Sequence, residues 1–129
     1  MNILDENIVE SQRQLLRSWR VPARQIGREL GRPGMQDEEV IPLLRRTRRV
    51  TFFTRDLGFY DAKNRSSACC IVCLAVGQQE VALFVRKVLR HPALNTQAKR
   101  LGTVLRVTHT GIRLWRMSSD VETLLNWPS

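Results

Sequence analysis

The sequence predicts a single three-layer α/β domain over residues 1–129, with a mainly parallel sheet and a C-terminal β-hairpin. Three observations predict it. Short β-branched or apolar runs alternate with segments of helical spacing, the mark of strand–helix–strand units. A chain of 129 residues with 43% hydrophobic content supports one core and no independent second module. Two strand-like runs flank His109-Thr110-Gly111 near the end, as a closing hairpin requires.

Ile3 and Leu4 form a short first strand that stops at Asp5-Glu6-Asn7. Asp5 or Asn7 is placed to cap a helix over residues 8–20, which carries Ile8, Val9, Leu15, Leu16 and Trp19 on one face. Val21–Ile26 reads as a second strand, which Pro22 confines to a beginning or an edge. After a loop punctuated by Gly27, Gly31, Pro33 and Gly34, a second helix opens at Asp37. Glu38 and Glu39 complement its dipole, Val40, Ile41 and Leu44 form its buried stripe, and Pro42 predicts a bend or a late start.

Val50–Thr54 is a β-branched and aromatic strand ending at Arg55-Asp56, and Ala68–Val76 is apolar enough to be covered on both faces. Gln79–His91 returns to helical spacing, and Asn95 is placed to cap a short helix closed by Gly102. Val104–Thr108 and Ile112–Met117 are the hairpin strands.

No apolar run approaches the roughly 20 residues that span a bilayer. The first residues lack a basic region and a long apolar stretch, so no membrane partner and a cytoplasmic location are expected. The three cysteines, Cys69, Cys70 and Cys73, are too clustered for a disulfide framework. On a strand, Cys70 and Cys73 point to opposite faces, so buried packing is expected rather than a zinc or redox pair. His91 and His109 lack the context of a catalytic triad and read as surface or capping residues.

The net charge is +9, of which residues 1–61 carry +2 and residues 62–129 carry +7. Such basic surface attracts polyanions, and the arginine fork suits phosphate. Arg86, Lys87 and Arg90 share a helix face and Lys99-Arg100 follow, so a phosphate-tracking surface beside the acidic residues is expected. Arg55 adjoins Asp56 and is the single basic residue expected at the mouth of the site.

The acids stand apart. In open parallel sheets ligands bind beyond the carboxyl ends of the strands, and right-handed crossovers bring Asp5, Asp37 and Asp56 to that edge. Converging carboxylates repel one another unless a cation compensates, and Mg²⁺ or Mn²⁺ suits an all-oxygen set. Such an ion activates water for attack on phosphate. There is no Walker lysine loop and no dinucleotide-binding glycine fingerprint.

The segments Leu4-Asp5-Glu6-Asn7, Asp37-Glu38-Glu39-Val40-Ile41 and Thr54-Arg55-Asp56-Leu57-Gly58-Phe59 resemble, in order and spacing, the PIN-like nuclease family related to VapC-type toxins. The resemblance covers roughly the first half of the chain. It implies Mg²⁺- or Mn²⁺-dependent cleavage of RNA, with Asp5, Asp37 and Asp56 as catalytic metal ligands. Thr54 and Asn7 would support the site by hydrogen bonding. It also implies a toxin–antitoxin role, with RNA and an antitoxin as partners; a homo-oligomer is compatible with it. Where the family often carries a further aspartate, this chain has Gly58, which leaves Glu6, Glu38 or Asp61 as substitutes. The alternative is a nucleic-acid-binding module without catalysis. It would be either a degenerate PIN-like domain or a helix-turn-helix beginning in Val21–Gly31, although Asp37, Glu38 and Glu39 would repel phosphate from the second helix of the latter.

Overall fold

A computed structural model describes residues 1–129. Seven strands form one sheet: β1 (Asn2–Leu4), β2 (Arg24–Gln25), β3 (Val50–Thr54), β4 (Cys69–Leu74), β5 (Val104–Thr108), β6 (Gly111–Trp115) and β7 (Thr123–Leu125). Their spatial order is β2-β1-β3-β4-β5-β6-β7. The first five run parallel, and β6 and β7 are antiparallel to their neighbours. The helices are α1 (Glu10–Ser18), α2 (Asp37–Thr47), α3 (Val81–Arg90) and α4 (Gln97–Arg100).

Strand alternation divides the core between two faces. Leu4, Phe53, Cys70, Val72 and Leu105 pack with Leu16 of α1 and Val81, Val85 and Val88 of α3. Ile3, Phe52, Cys69, Ile71 and Cys73 pack with Val40, Leu43 and Leu44 of α2. Phe59 completes this second face, edge-on to Phe52 at 5.4 Å between ring centroids. Every residue of β4 is buried, as its unbroken apolar run predicts. Cys70 and Cys73 accordingly lie on opposite faces as free thiols, each pushed up to about 12 by burial. Such thiols are poor nucleophiles and poor ligands.

Several local expectations are corrected. The N-cap of α1 is Val9, and neither Asp5 nor Asn7 caps the helix. Strand β2 is only two residues long, since it has a partner on one side alone. A 3-10 turn, Gln78–Glu80, precedes α3, and α4 is capped by Thr96 rather than Asn95. Helix α2 starts at Asp37 despite Pro42, which it carries inside. Pro42 is exposed, so the Glu38 carbonyl deprived of its donor can bond water instead. Residues 21–31 form β2 and a turn closed by an Ile26–Leu30 bridge, with no helix, so the helix-turn-helix alternative falls. His91, expected in a surface or capping role, takes the capping one, buried at the C-cap of α3. Its Nδ1 accepts from the Ala93 amide, and its Nε2 pairs with the Asn126 carbonyl at 2.8 Å.

The hairpin gains a third strand, β7, which rests on β6. Beyond it the Trp127 indole donates to the Thr108 carbonyl. No helix is long and apolar enough to cross a membrane.

Candidate functional site

Strands β1 and β3 are neighbours, with Leu4 opposite Phe53, so the residues that follow them emerge side by side at the carboxyl edge. The Asp5 amide donates to the Phe53 carbonyl, extending that pairing by one residue. Thr54 is fully buried and joins the two acids. Its hydroxyl donates to Asp5 Oδ2 at 2.6 Å and accepts from the Asp56 amide at 3.0 Å. A hydroxyl can do both at once, and an apolar isostere could do neither. Asp56 Oδ1 accepts from the Gly58 amide at 2.8 Å and so caps the 3-10 turn Leu57–Phe59.

Asp37 reaches the same edge as the first residue of α2. The three carboxylates feel one another. Burial raises the Asp5 carboxyl above its ordinary range; hydrogen bonds from Thr54 and the Glu6 amide oppose this, and the Asp56 and Glu6 charges add to it. Asp37 is also raised, by desolvation first and then by Asp56, Asp5 and Glu38. None of the three aspartates forms a salt bridge.

The neighbouring acids have other work. Glu6 accepts from the Gly34 amide through both oxygens, tying the loop before α2 to the end of β1. A β-carbon at Gly27 would stand 2.7 Å from Glu6 Oε2 and displace that carboxylate, and the φ of +89° at Gly27 itself favours glycine. Asp61 caps the next 3-10 turn by accepting from the Lys63 amide. Glu38 and Asn7 are exposed, and no side-chain hydrogen bond holds either. A β-carbon at Gly58 would stand 3.0 Å from Asp56 Oδ1, so an acid at that position would crowd the carboxylate already present.

One residue of the site escaped sequence reasoning. Gln25 is buried on β2, and its Nε2 donates to the carbonyls of Asp5, Glu6 and Ile8 at 2.9–3.3 Å. It therefore moulds the turn that carries Asp5. A glutamine beside Arg24 in a short edge strand gives no sequence signal for this role.

The expected basic surface beside the acids is not there. Helix α3 begins at the carboxyl edge and runs back along the sheet, so Arg90, α4 and Lys99 come to the amino edge. Arg86 stacks over Trp19 at 3.7 Å, and Lys87 lies over Phe84 and Trp127. Lys99 donates to the Pro92 carbonyl and to Asn95. Arg100 is buried and bonds Thr51 and the Leu94 carbonyl. Only Arg55 stays beside the acids, where its Nε donates to the Val76 carbonyl at 3.1 Å.

The acidic set is chemically suited to a hard divalent ion: all donors are carboxylate oxygens, repelling and without a cation. No three acidic, histidine or cysteine side chains close around one point at coordinating distance. Mg²⁺ retains several waters and takes only one or two carboxylates directly, so the set fits that ion. Comparison with family models, with curated proteins and with solved structures gives no match.

Proposed function

We propose that this chain is a PIN-like, metal-dependent ribonuclease acting in the cytoplasm as the toxin of a toxin–antitoxin pair. The observation that carries this reading is the Thr54 bridge. A buried hydroxyl holds Asp5 and Asp56 on adjacent strands, in front of Asp37, at the edge where parallel sheets bind ligands. Burial first, and the neighbouring carboxylates second, raise the pKa of Asp5 and Asp37, a cost that suits a site built for a cation.

Asp5, Asp37 and Asp56 would hold Mg²⁺ or Mn²⁺. When bound, the ion supplies activation of water and neutralises charge developing on the phosphate. The chain's part is orientation. Thr54 sets the Asp5 carboxylate, Gly58 sets that of Asp56, and Gln25 sets the turn beneath Asp5. Arg55 is placed to meet a phosphate oxygen. Water adds to phosphorus, the bond to the leaving ribose oxygen breaks, and that oxygen takes up a proton.

Incubation of purified protein with RNA and Mn²⁺ tests this. Cleavage that chelator abolishes and that Asp5→Asn loses is expected; equal cleavage by Asp5→Asn refutes the assignment. A second reading, a PIN-like RNA binder without catalysis, is favoured by Gly58 and by the lack of a close three-ligand cluster. RNA binding indifferent to Mn²⁺, with no cleavage, would select it.

A further inference from the structure

We infer that the cleft at the amino edge of the sheet, opposite the acidic residues, is a binding site for a phosphate group. The cleft has a volume of about 810 Å³, and the charged side chains lining it are Arg13, Arg17, Arg20, Arg24 and Arg100. Its volume lies in the range of small-molecule sites. Arg13 is neutralised by Glu10 and Glu29. The other four arginines have no carboxylate within 4.0 Å.

Arg100 is the centre of the argument. It is only 8% exposed. Its Nε donates to Thr51 Oγ1 at 3.0 Å and its Nη1 to the Leu94 carbonyl at 2.7 Å, both neutral acceptors. A guanidinium carries five N–H donors, so three are left without a protein acceptor. Its Nη2 has no protein partner and is not sealed from solvent, and Arg100 lines the cleft. A buried charge that lacks a counter-charge is costly, and burial works against this one. An anion entering the cleft would supply both the charge and the acceptors.

Arg20 lines the cleft from the C-terminal end of α1. It ends α1 at φ +60°, where the Arg20 amide bonds the Arg17 carbonyl and the Val21 amide bonds the Leu16 carbonyl. Glycine is the unstrained residue for such a helix end, yet arginine stands there and lines the cleft. Arg17 alone could be explained by the helix dipole, and Arg24 by protection of an edge strand. Neither explanation covers a buried Arg100.

Phosphate is the anion that fits. Arginines of α1, β2 and α4 line the one cleft, and a guanidinium offers forked donors to phosphate oxygens. Val21, Pro22 and Ala23 add an apolar wall against which a sugar or base can rest. The phosphate is that of a free nucleotide or of an RNA strand, and the two share this recognition chemistry. The inference needs no metal and does not rest on the acidic edge.

Binding of inorganic phosphate, adenosine monophosphate and a fluorescent ten-nucleotide single-stranded RNA, measured in EDTA with wild type and Asp5→Asn, tests it. Saturable, salt-sensitive binding of at least one probe is expected in both proteins. Arg20→Gly relieves backbone strain and should fold as well as wild type, yet weaken binding about tenfold, as should Arg24→Gln. Arg46→Ala, an exposed arginine on α2, should change binding less than twofold. Nucleotide as tight as oligonucleotide identifies a nucleotide site, and much tighter oligonucleotide identifies an RNA anchor. No saturable binding of any probe, or equal weakening by Arg46→Ala and Arg20→Gly, overturns the site. Loss of RNA cleavage in Asp5→Asn with unchanged phosphate binding separates this inference from the nuclease reading.

Discussion

The two edges of this sheet carry opposite charge. At the carboxyl edge lie Asp5, Glu6, Asp37, Glu38 and Asp56, with Arg55 beside them, while Arg28 and Arg32 of the loop before α2 are paired with Glu10 and Glu39. At the amino edge stand Arg17, Arg20, Arg24, Arg49 and Arg100. Part of this segregation is ordinary helix electrostatics. In a parallel α/β unit the helix N-termini face the carboxyl edge and the C-termini face the amino edge, so acids and arginines each complement the dipole ends nearest them.

The difference that teaches more is in the charges drawn below the surface. Asp5 is half-buried, bridged by Thr54 and pressed by Asp56. Arg100 is buried on neutral acceptors. Dipole complementarity requires neither. Each edge therefore holds a charge without an opposite partner, the carboxyl edge suited to a cation and the amino edge to an anion.

The comparison breaks most sharply if the edges are not separable. Asp5→Asn should lower RNA cleavage by on the order of 10²-fold or more while phosphate binding at the amino edge is unchanged, as read by cleavage of labelled RNA and by metal-free titration. Thr54→Val should cost about 1–3 kcal/mol in denaturant unfolding, because it leaves a buried carboxylate oxygen and the Asp56 amide without their partner. It should also lower cleavage roughly 10–100-fold, as loss of an orienting group does.

At the other edge, Arg20→Gly should raise stability by about 1 kcal/mol, the cost of a left-handed conformation for a residue with a β-carbon. The smallest effect is expected from Asp37→Asn, a slight gain in stability at neutral pH, kept small because solvent screens this exposed carboxylate.

The burial of these carboxyls, with the repulsion added to it, has a pH signature. Asp5 and Asp37 both have folded-state pKa values above the ordinary 3.8. The folded chain thus binds these protons more tightly than the unfolded chain. Their contribution to stability is greatest below about 3.8 and falls as pH rises through the folded-state values. Melting curves across that range should show the fall in wild type and a shallower one in Asp37→Asn.

Much of the fold was legible because the segments that form it are locally consistent. Val50–Thr54 has β-branched and aromatic residues throughout, and the six residues of β4 are apolar on both faces. Strand β7 was not legible: it has three residues, and Leu124, the middle one, is 67% exposed, so no alternating pattern marks it. The convergence of Asp5, Asp37 and Asp56 on one edge followed from topology. The position of the basic residues lay in the connectivity too, since a helix that leaves the carboxyl edge must return to the amino edge before β5. Spacing alone gave the shared face of Arg86, Lys87 and Arg90, not the end of the sheet they approach. The burial of Arg100 and Gln25 depends on which carbonyls surround them, and no local pattern reports that.

The central expectation is that the carboxyl edge takes a divalent cation. The melting temperature of wild type and of an Asp5→Asn, Asp56→Asn double variant, each titrated with Mn²⁺ at low salt, measures this. Saturable stabilisation of wild type that the double variant loses is the predicted result. The same shift in both proteins, or none in wild type, would contradict it.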